Sequence, residues 1–124
     1  MGRKDVLKIY QVITNGDMSQ ATLTSKVTGI QYMDNIPIQL NFTGTPTGTF
    51  AVQGSLDYSQ DFQGNVTSVG NWVPLVLSPS PAATGAAGSI LLDLNQLSFP
   101  WIRVVYTKTS GTGTLNAFVG GKML

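Results

Sequence analysis

The stretch "YTKTSGTGTLNAF", residues 106–118, decides how the chain is read, because its glycine-spaced centre follows the apolar run "WIRVVY" and admits two incompatible structures. A nucleotide-binding loop needs a helix after the glycines, whose N-terminus receives the phosphates inside a unit of roughly 30 residues. Only eleven residues, "TLNAFVGGKML", follow Gly113. They set Leu115, Ala117 and Val119 against Thr114, Asn116 and Phe118, which is the period of a strand, and Asn116 stands where the fingerprint's third glycine belongs. The sequence therefore predicts a β-hairpin bent at Gly111-Thr112-Gly113, its glycines chosen for backbone angles that a side chain opposes.

Working outward, the same period recurs along the chain. In "NIPIQLNF" the residues Ile36, Ile38, Leu40 and Phe42 point one way, "TPTG" at 45–48 interrupts, and "TFAVQGSLDY" resumes, which predicts a second hairpin. "DVLKIYQVI", "ATLTSKVTGI", "WVPLVL", "ILLDL", "WIRVVYTK" and "TLNAFV" complete about eight strands, and no segment carries a capped helical stripe. The expected fold is all-β: a single-domain jelly roll or β-sandwich of about eight antiparallel strands. Residues 1–12 form an N-terminal arm or first strand ahead of a sandwich over 13–124. Pro74 marks an edge strand or bulge, since proline donates nothing to a ladder. Two stretches, 59–71 and the Pro/Ala/Gly/Ser/Thr-rich 78–89, are expected to be long surface loops.

Composition narrows the function. A chain of 124 residues is the size of one domain with one core. With no Cys there is no disulfide, thiol nucleophile or thiolate metal site, and with no His the commonest acid–base and metal-binding side chain is missing. Seven Lys and Arg oppose six Asp, only 10% of the chain against the usual quarter, so no nucleic-acid partner is expected. No apolar stretch reaches the roughly 20 residues of a membrane span, and the N-terminus lacks a signal-peptide core, so no membrane partner is expected and Met1 is taken as the mature start.

The remaining side chains point to structure more than to chemistry. Asp57 and Asp61, four apart, lack the oxygen-rich loop that Ca²⁺ demands and read as solvated loop acids; no metal and no cofactor are expected. Asp93 lies out of phase with Leu92 and Leu94 and faces water. Trp72, Trp101, Tyr58 and Tyr106 sit near strand ends, where aromatics close a sandwich core, although exposed rings there would make a sugar-stacking platform. Arg103 either lays its stem over an apolar face or pairs with an acid such as Asp93. The sequons at Asn41 and Asn65 are short enough to arise by chance in a Thr-rich chain.

Two long segments, "TNGDMSQATLTSKVTGIQYMDNIPIQLNFTGTPTGTFAVQGSLD" and "NWVPLVLSPSPAATGAAGSILLDLNQLSFPWIRVVYTKTSGTGTLNAFVGGK", resemble a family of small virion proteins of tailed bacteriophages. In that family a hairpin of the form "RVVYT-x-TSGTGTLN" closes the chain, as "RVVYTKTSGTGTLN" does here from 103 to 116, and the resemblance covers nearly all of residues 13–122. Members are similar to capsid decoration or cement proteins. The resemblance implies a non-enzymatic protein without catalytic residues, made in the host bacterial cytoplasm and mounted on the outer surface of the capsid. It further implies binding to the major capsid protein and self-association as a dimer or trimer. The alternative within the virion is a tail or baseplate adaptor, or a host-glycan-binding module. The charged start "MGRKD" precedes the shared block, which makes Arg3, Lys4, Val6, Leu7 and Lys8 the expected partner-binding residues.

Overall fold

The computed structural model describes residues 6–31, 33–77, 80–95 and 97–123. Twelve strands follow in chain order: β1 Val6–Asp17, β2 Thr22–Thr24, β3 Thr28–Gly29, β4 Asn35–Gly44, β5 Thr47–Ser55, β6 Ser59–Gln60, β7 Val66–Ser68, β8 Val73–Pro74, β9 Ala82–Thr84, β10 Gly88–Asn95, β11 Trp101–Ser110 and β12 Gly113–Met123. The eight segments whose alternation marks them in the sequence hold nine of these strands, because the expected strand over 21–30 is broken into β2 and β3. The other three, β6, β7 and β9, are two or three residues long and carry no period of their own.

Apart from β6 and β7, which pair as a separate two-stranded ribbon, the other ten strands form two facing sheets. One runs β1-β12-β4-β10; the other runs β2-β11-β5-β8, with β3 also on β11 and β9 also on β5. All pairings are antiparallel. Strands adjacent in sequence mostly alternate between the sheets, so the chain is wound around its core as a jelly roll.

That winding corrects both predicted hairpins. β4 and β5 lie in opposite sheets, as do β11 and β12, so "GTPT" and "SGTG" are corners that carry the chain across the core. The two corners sit side by side. β12 pairs with β4 as far as Gly113 and Gly44, and β11 pairs with β5 as far as Ser110 and Thr47, so two long ribbons run antiparallel through both sheets and bend together. Thr45 donates its N–H to the carbonyl of Thr112 at 2.8 Å across the bend.

The glycines there serve the corner for different reasons. Gly44 and Gly111 hold φ of +85° and +82°, in the left-handed region that side chains oppose. Gly113 has no positive φ; its need is space, because a Cβ would overlap the carbonyl oxygen of Thr43. The angle expected of Gly113 is thus replaced by close backbone approach.

Inside, Ile36, Ile38, Leu40, Leu115, Ala117 and Val119 from one sheet face Val52, Ile102, Val104 and Tyr106 from the other, all almost wholly buried. Full burial of each aliphatic side chain contributes about 1.5–3 kcal/mol. Tyr106 belongs to this core rather than to a sandwich end. Its ring centroid lies 4.9 Å from that of Phe50, which lies 5.5 Å from Phe42. In β1 the buried pair Val12 and Ile13 breaks the alternation at a bulge, and Asn116 steadies it by accepting from Gln11 Nε2 at 3.0 Å and Asn15 N at 2.9 Å.

Pro74 does lie on an edge strand, β8. The 78–89 segment departs from a wandering loop: β9 pairs with Thr47–Thr49, and Ala83 and Pro81 are buried, so small side chains there allow close approach to β5. The boundary drawn at residue 12 falls inside β1, which enters the sheet at Val6.

Two outcomes test this architecture. Gly64 has φ +88° with open space around it, whereas Gly111 adds a collision with the Thr45 carbonyl to the same kind of angle. Gly64→Ala should therefore cost about 1–2 kcal/mol, the left-handed penalty alone, and Gly111→Ala clearly more, in urea unfolding of the two variants. The Tyr106 hydroxyl is buried without a hydrogen-bond partner among the described residues. Removing such a group relieves a desolvation cost of about 1–3 kcal/mol, so Tyr106→Phe should melt at the same temperature as the wild type or higher.

Candidate functional site

The chemistry-bearing residues collect where β5 ends and the 57–72 segment begins. Ser55 Oγ donates to Asp57 Oδ1 at 2.9 Å and accepts the Tyr58 N–H at 3.1 Å, which turns the chain out of β5. Asp57 then clamps the far end of the excursion: its Oδ1 accepts the Asn71 N–H at 2.7 Å and its Oδ2 the Asn71 side-chain amide at 2.7 Å. These donors, the Asn71 backbone first, hold the Asp57 carboxyl down at about 2.

Within the clamp, Asp61 shapes the β6–β7 turn. Its Oδ1 accepts the N–H groups of Gln63 and Asn65, each at 2.9 Å, and its Oδ2 accepts Asn65 Nδ2 at 3.2 Å. Hydrogen bonding to Asn65 lowers its pKa as well. The predicted 59–71 loop is thus a small hairpin with its own polar frame. Asp57 and Asp61 spend their lone pairs on separate backbone turns, and no group of three acids with metal-ligand spacing occurs among the described residues.

Beside the clamp the aromatics pack on one another. Tyr58 is buried, with Trp72 at 5.4 Å and Trp101 edge-on at 5.0 Å between centroids. The Arg103 guanidinium lies 4.4 Å from the Trp72 ring centroid, while its Nε donates to Gln53 Oε1 at 2.8 Å. Trp72 Nε1 donates to the Val69 carbonyl at 3.0 Å. The pairing of Arg103 with Asp93 is therefore overturned: β11 and β10 belong to different sheets, and the cation spreads over an indole instead. Rings that cover one another in this way leave little free face for stacking a sugar, and the aromatic group works as a satellite core outside the β5–β11 sheet.

An open pocket of about 490 Å³ adjoins this group, walled by Leu56, Val73, Pro74, Leu75 and Phe99 with Asp57 and Asn71 among its lining residues. Phe99 packs so closely on Gly54 that a Cβ there would overlap its ring. The pocket suits an apolar side chain.

Of the expected partner-binding residues, Arg3 and Lys4 lie outside the described residues. For the rest, Val6 pairs with Met123, Leu7 with Lys122 and Lys8 with Gly121, so their backbone is part of the sheet. On the outer face of that sheet, Ile9 is exposed beside a shallow apolar depression formed with Pro37, Leu91, Phe118 and Gly120. Ile9 and Leu91 were not singled out in the sequence, where an outward Leu or Ile looks like any other strand residue; only the register brings them together.

No protein-family model matches the sequence, and no curated protein sequence does either. The fold has counterparts among solved structures. The chain is similar to the SPBc2 prophage-derived protein YomS at 8% identity and a TM-score of 0.59, over 98% of this chain and 97% of that one. It is also similar to part of a protein of the T13 IBDV viral particle, at 12% identity and a TM-score of 0.56, over 98% of this chain but only 31% of that chain. At such identities the likeness is one of fold. The jelly roll seen here is shared with a prophage protein and with a virus particle.

The Asp57 clamp has a pH signature. Because its pKa is depressed, its contribution is fully present above the ordinary 3.8 and is lost as pH falls through about 2. Tryptophan emission, reporting Trp72 beside Asn71, should hold steady down to about pH 3 and then shift with a midpoint near pH 2. Asp57→Asn should remove that step and loosen the 57–72 segment already at neutral pH.

Proposed function

We propose that this protein is a non-enzymatic structural component of a tailed-phage virion, bound to the assembled capsid lattice as a decoration or cement protein that stabilises the shell. The observation that carries the reading is the jelly roll shared over 98% of the chain with a prophage-derived protein and with part of a virus-particle protein. The virion-family resemblance of residues 13–122 supports it. The side chains support it too, since Asp57, Asp61, Arg103 and the aromatics are each engaged in holding the fold.

In this reading the major capsid protein is the partner and the outer capsid surface is the location. The outer face of the β1-β12-β4-β10 sheet, with Ile9, Pro37, Phe118 and Leu91, offers the apolar contact, and Arg3, Lys4 and Lys8 add charge near the start of β1. Interfaces of standard size, about 1,200–2,000 Å² in total, hold a shell collectively when repeated over a lattice. Self-association on the lattice is part of the same proposal.

Separated heads and tails of the virion, digested and quantified by mass spectrometry, distinguish head from tail. The protein should be recovered with heads, in copy number scaling with the major capsid protein. Recovery with tails at a few copies per particle would establish the adaptor reading instead. On isolated shells, Ile9→Asp with Phe118→Asp should reduce decoration at least about tenfold, since desolvating a carboxylate costs more than the lost apolar burial.

A further inference from the structure

Four strands or strand groups form the sheet edges, and three are blunted. β1 is kinked by register shifts between Gln11 and Ile13 and between Ile13 and Gly16; β2 and β3 have three and two residues; β8 has two, one of them Pro74, and β9 three. Such bulges, prolines and short lengths are how sheets avoid pairing with other chains. The fourth edge is unprotected. β10, "GSILLDLN", pairs with β4 in unbroken register from Gly88 to Asn95, is eight residues long, and contains no proline, no lysine and no bulge. Among the described residues, only β4 hydrogen-bonds to it.

The side chains of β10 also look incomplete. Ile90, Leu92 and Leu94 are only half-buried, although Leu40, Ile38 and Ile36, their register partners on β4, are wholly buried. Leu91, on the outer face, is 72% exposed. An edge with open backbone groups and an uncovered inner row lacks one neighbouring strand.

We propose that this neighbour is β10 of a second copy, paired antiparallel about a two-fold axis through Leu91, so that two four-stranded sheets become one of eight. Opposed residues of an antiparallel pair share a face, so the axis must pass through one residue position. Through Asp93 it would oppose two carboxylates, and through Leu92 it would set Asp93 against Leu91. Through Leu91 it pairs Leu91 with Leu91, Ile90 with Leu92 and Ser89 with Asp93, which matches apolar with apolar and separates the acids. The inference deepens the self-association part of the proposed function and is tested on the isolated protein, so its failure leaves the capsid reading standing.

An eight-residue edge buries less than the about 1,600 Å² of a standard interface, so the dimer should be weak in dilute solution and favoured where copies crowd on a lattice. Sedimentation equilibrium from about 10 μM to 1 mM should show wild-type dimer rising with concentration. Leu91→Lys and Leu91→Glu should each weaken self-association at least about tenfold by opposing like charges, with melting temperature retained because the position is exposed. An equimolar mixture of the two variants should associate at least as well as wild type. Ser89→Lys, opposite Asp93, should strengthen the dimer and Ser89→Glu weaken it, a second reading of register should either Leu91 variant misfold. A wild type monomeric to 1 mM, a Leu91→Lys protein that dimerises like wild type, or a charge-swapped mixture that stays monomeric overturns the proposal.

Discussion

The molecule depends on one constraint: two ribbons must leave one sheet and enter the other at the same place. Where they do, Thr45 donates to Thr112, Gly44 and Gly111 adopt left-handed angles, and the Gly113 backbone lies against Thr43 with no room for a side chain. Pro46, almost wholly buried, fills the inside of the bend. If the corner opened, β4 and β5 could not face each other across the core, and neither could β12 and β11. The apolar rows they carry would lose their partners together. Stability is thus concentrated in long-range pairing, and folding should be slow relative to a helical chain of this length, since distant segments must meet before contacts repay the loop entropy.

Polar groups follow the same economy. The few charged side chains hold loops and rings in position: Asp57 gathers the two ends of the 57–72 excursion, Asp61 forms the turn within it, and Arg103 covers Trp72. Carboxylates saturated by N–H donors are stabilised as anions, which removes them from acid–base work near neutral pH. Alongside exposed charges such as Lys8, Lys26 and Asp93, the outside carries large apolar side chains: Ile9 and Leu91 on one sheet, Leu56 and Val73 at the pocket, and Phe62, Val69 and Val76. Exposed apolar side chains grouped on faces of a rigid sandwich are suited to contact with other proteins. In the proposed virion role, a component repeated many times gains from several weak surfaces of this kind more than from one deep site.

Much of the fold could be read in the sequence because alternation reports directly which side of a strand meets the core. Each of the eight segments with that period holds strand, although 21–30 breaks into β2 and β3 and only Val73–Pro74 of 72–77 is strand; Pro74 fell on an edge, and Asp93 faced solvent. One further sign was present at the first corner. The even-numbered positions Ile36, Ile38, Leu40, Phe42, Pro46, Phe50 and Val52 are all buried, so the phase passes through "TGTPTG" without a flip. A two-residue hairpin reverses that phase, because the residues flanking the turn are opposed and of different parity.

The sequence by itself determined the all-β class, the long strands, most of the inward faces, and the exclusion of thiol and histidine chemistry, because these depend only on residue type and local period. Tertiary structure decided which strands are neighbours. Glycine-rich bends look alike whether the chain folds back beside itself or crosses to the opposite sheet, since the local dihedrals are compatible with both, and the difference lies in partners some 60 residues away. Separation along the chain, even the 14 residues between Asp57 and Asn71, likewise hid the Asp57 clamp, the cover of Arg103 on Trp72 and the exposed edge of β10, each set by pairing between segments that no local pattern connects.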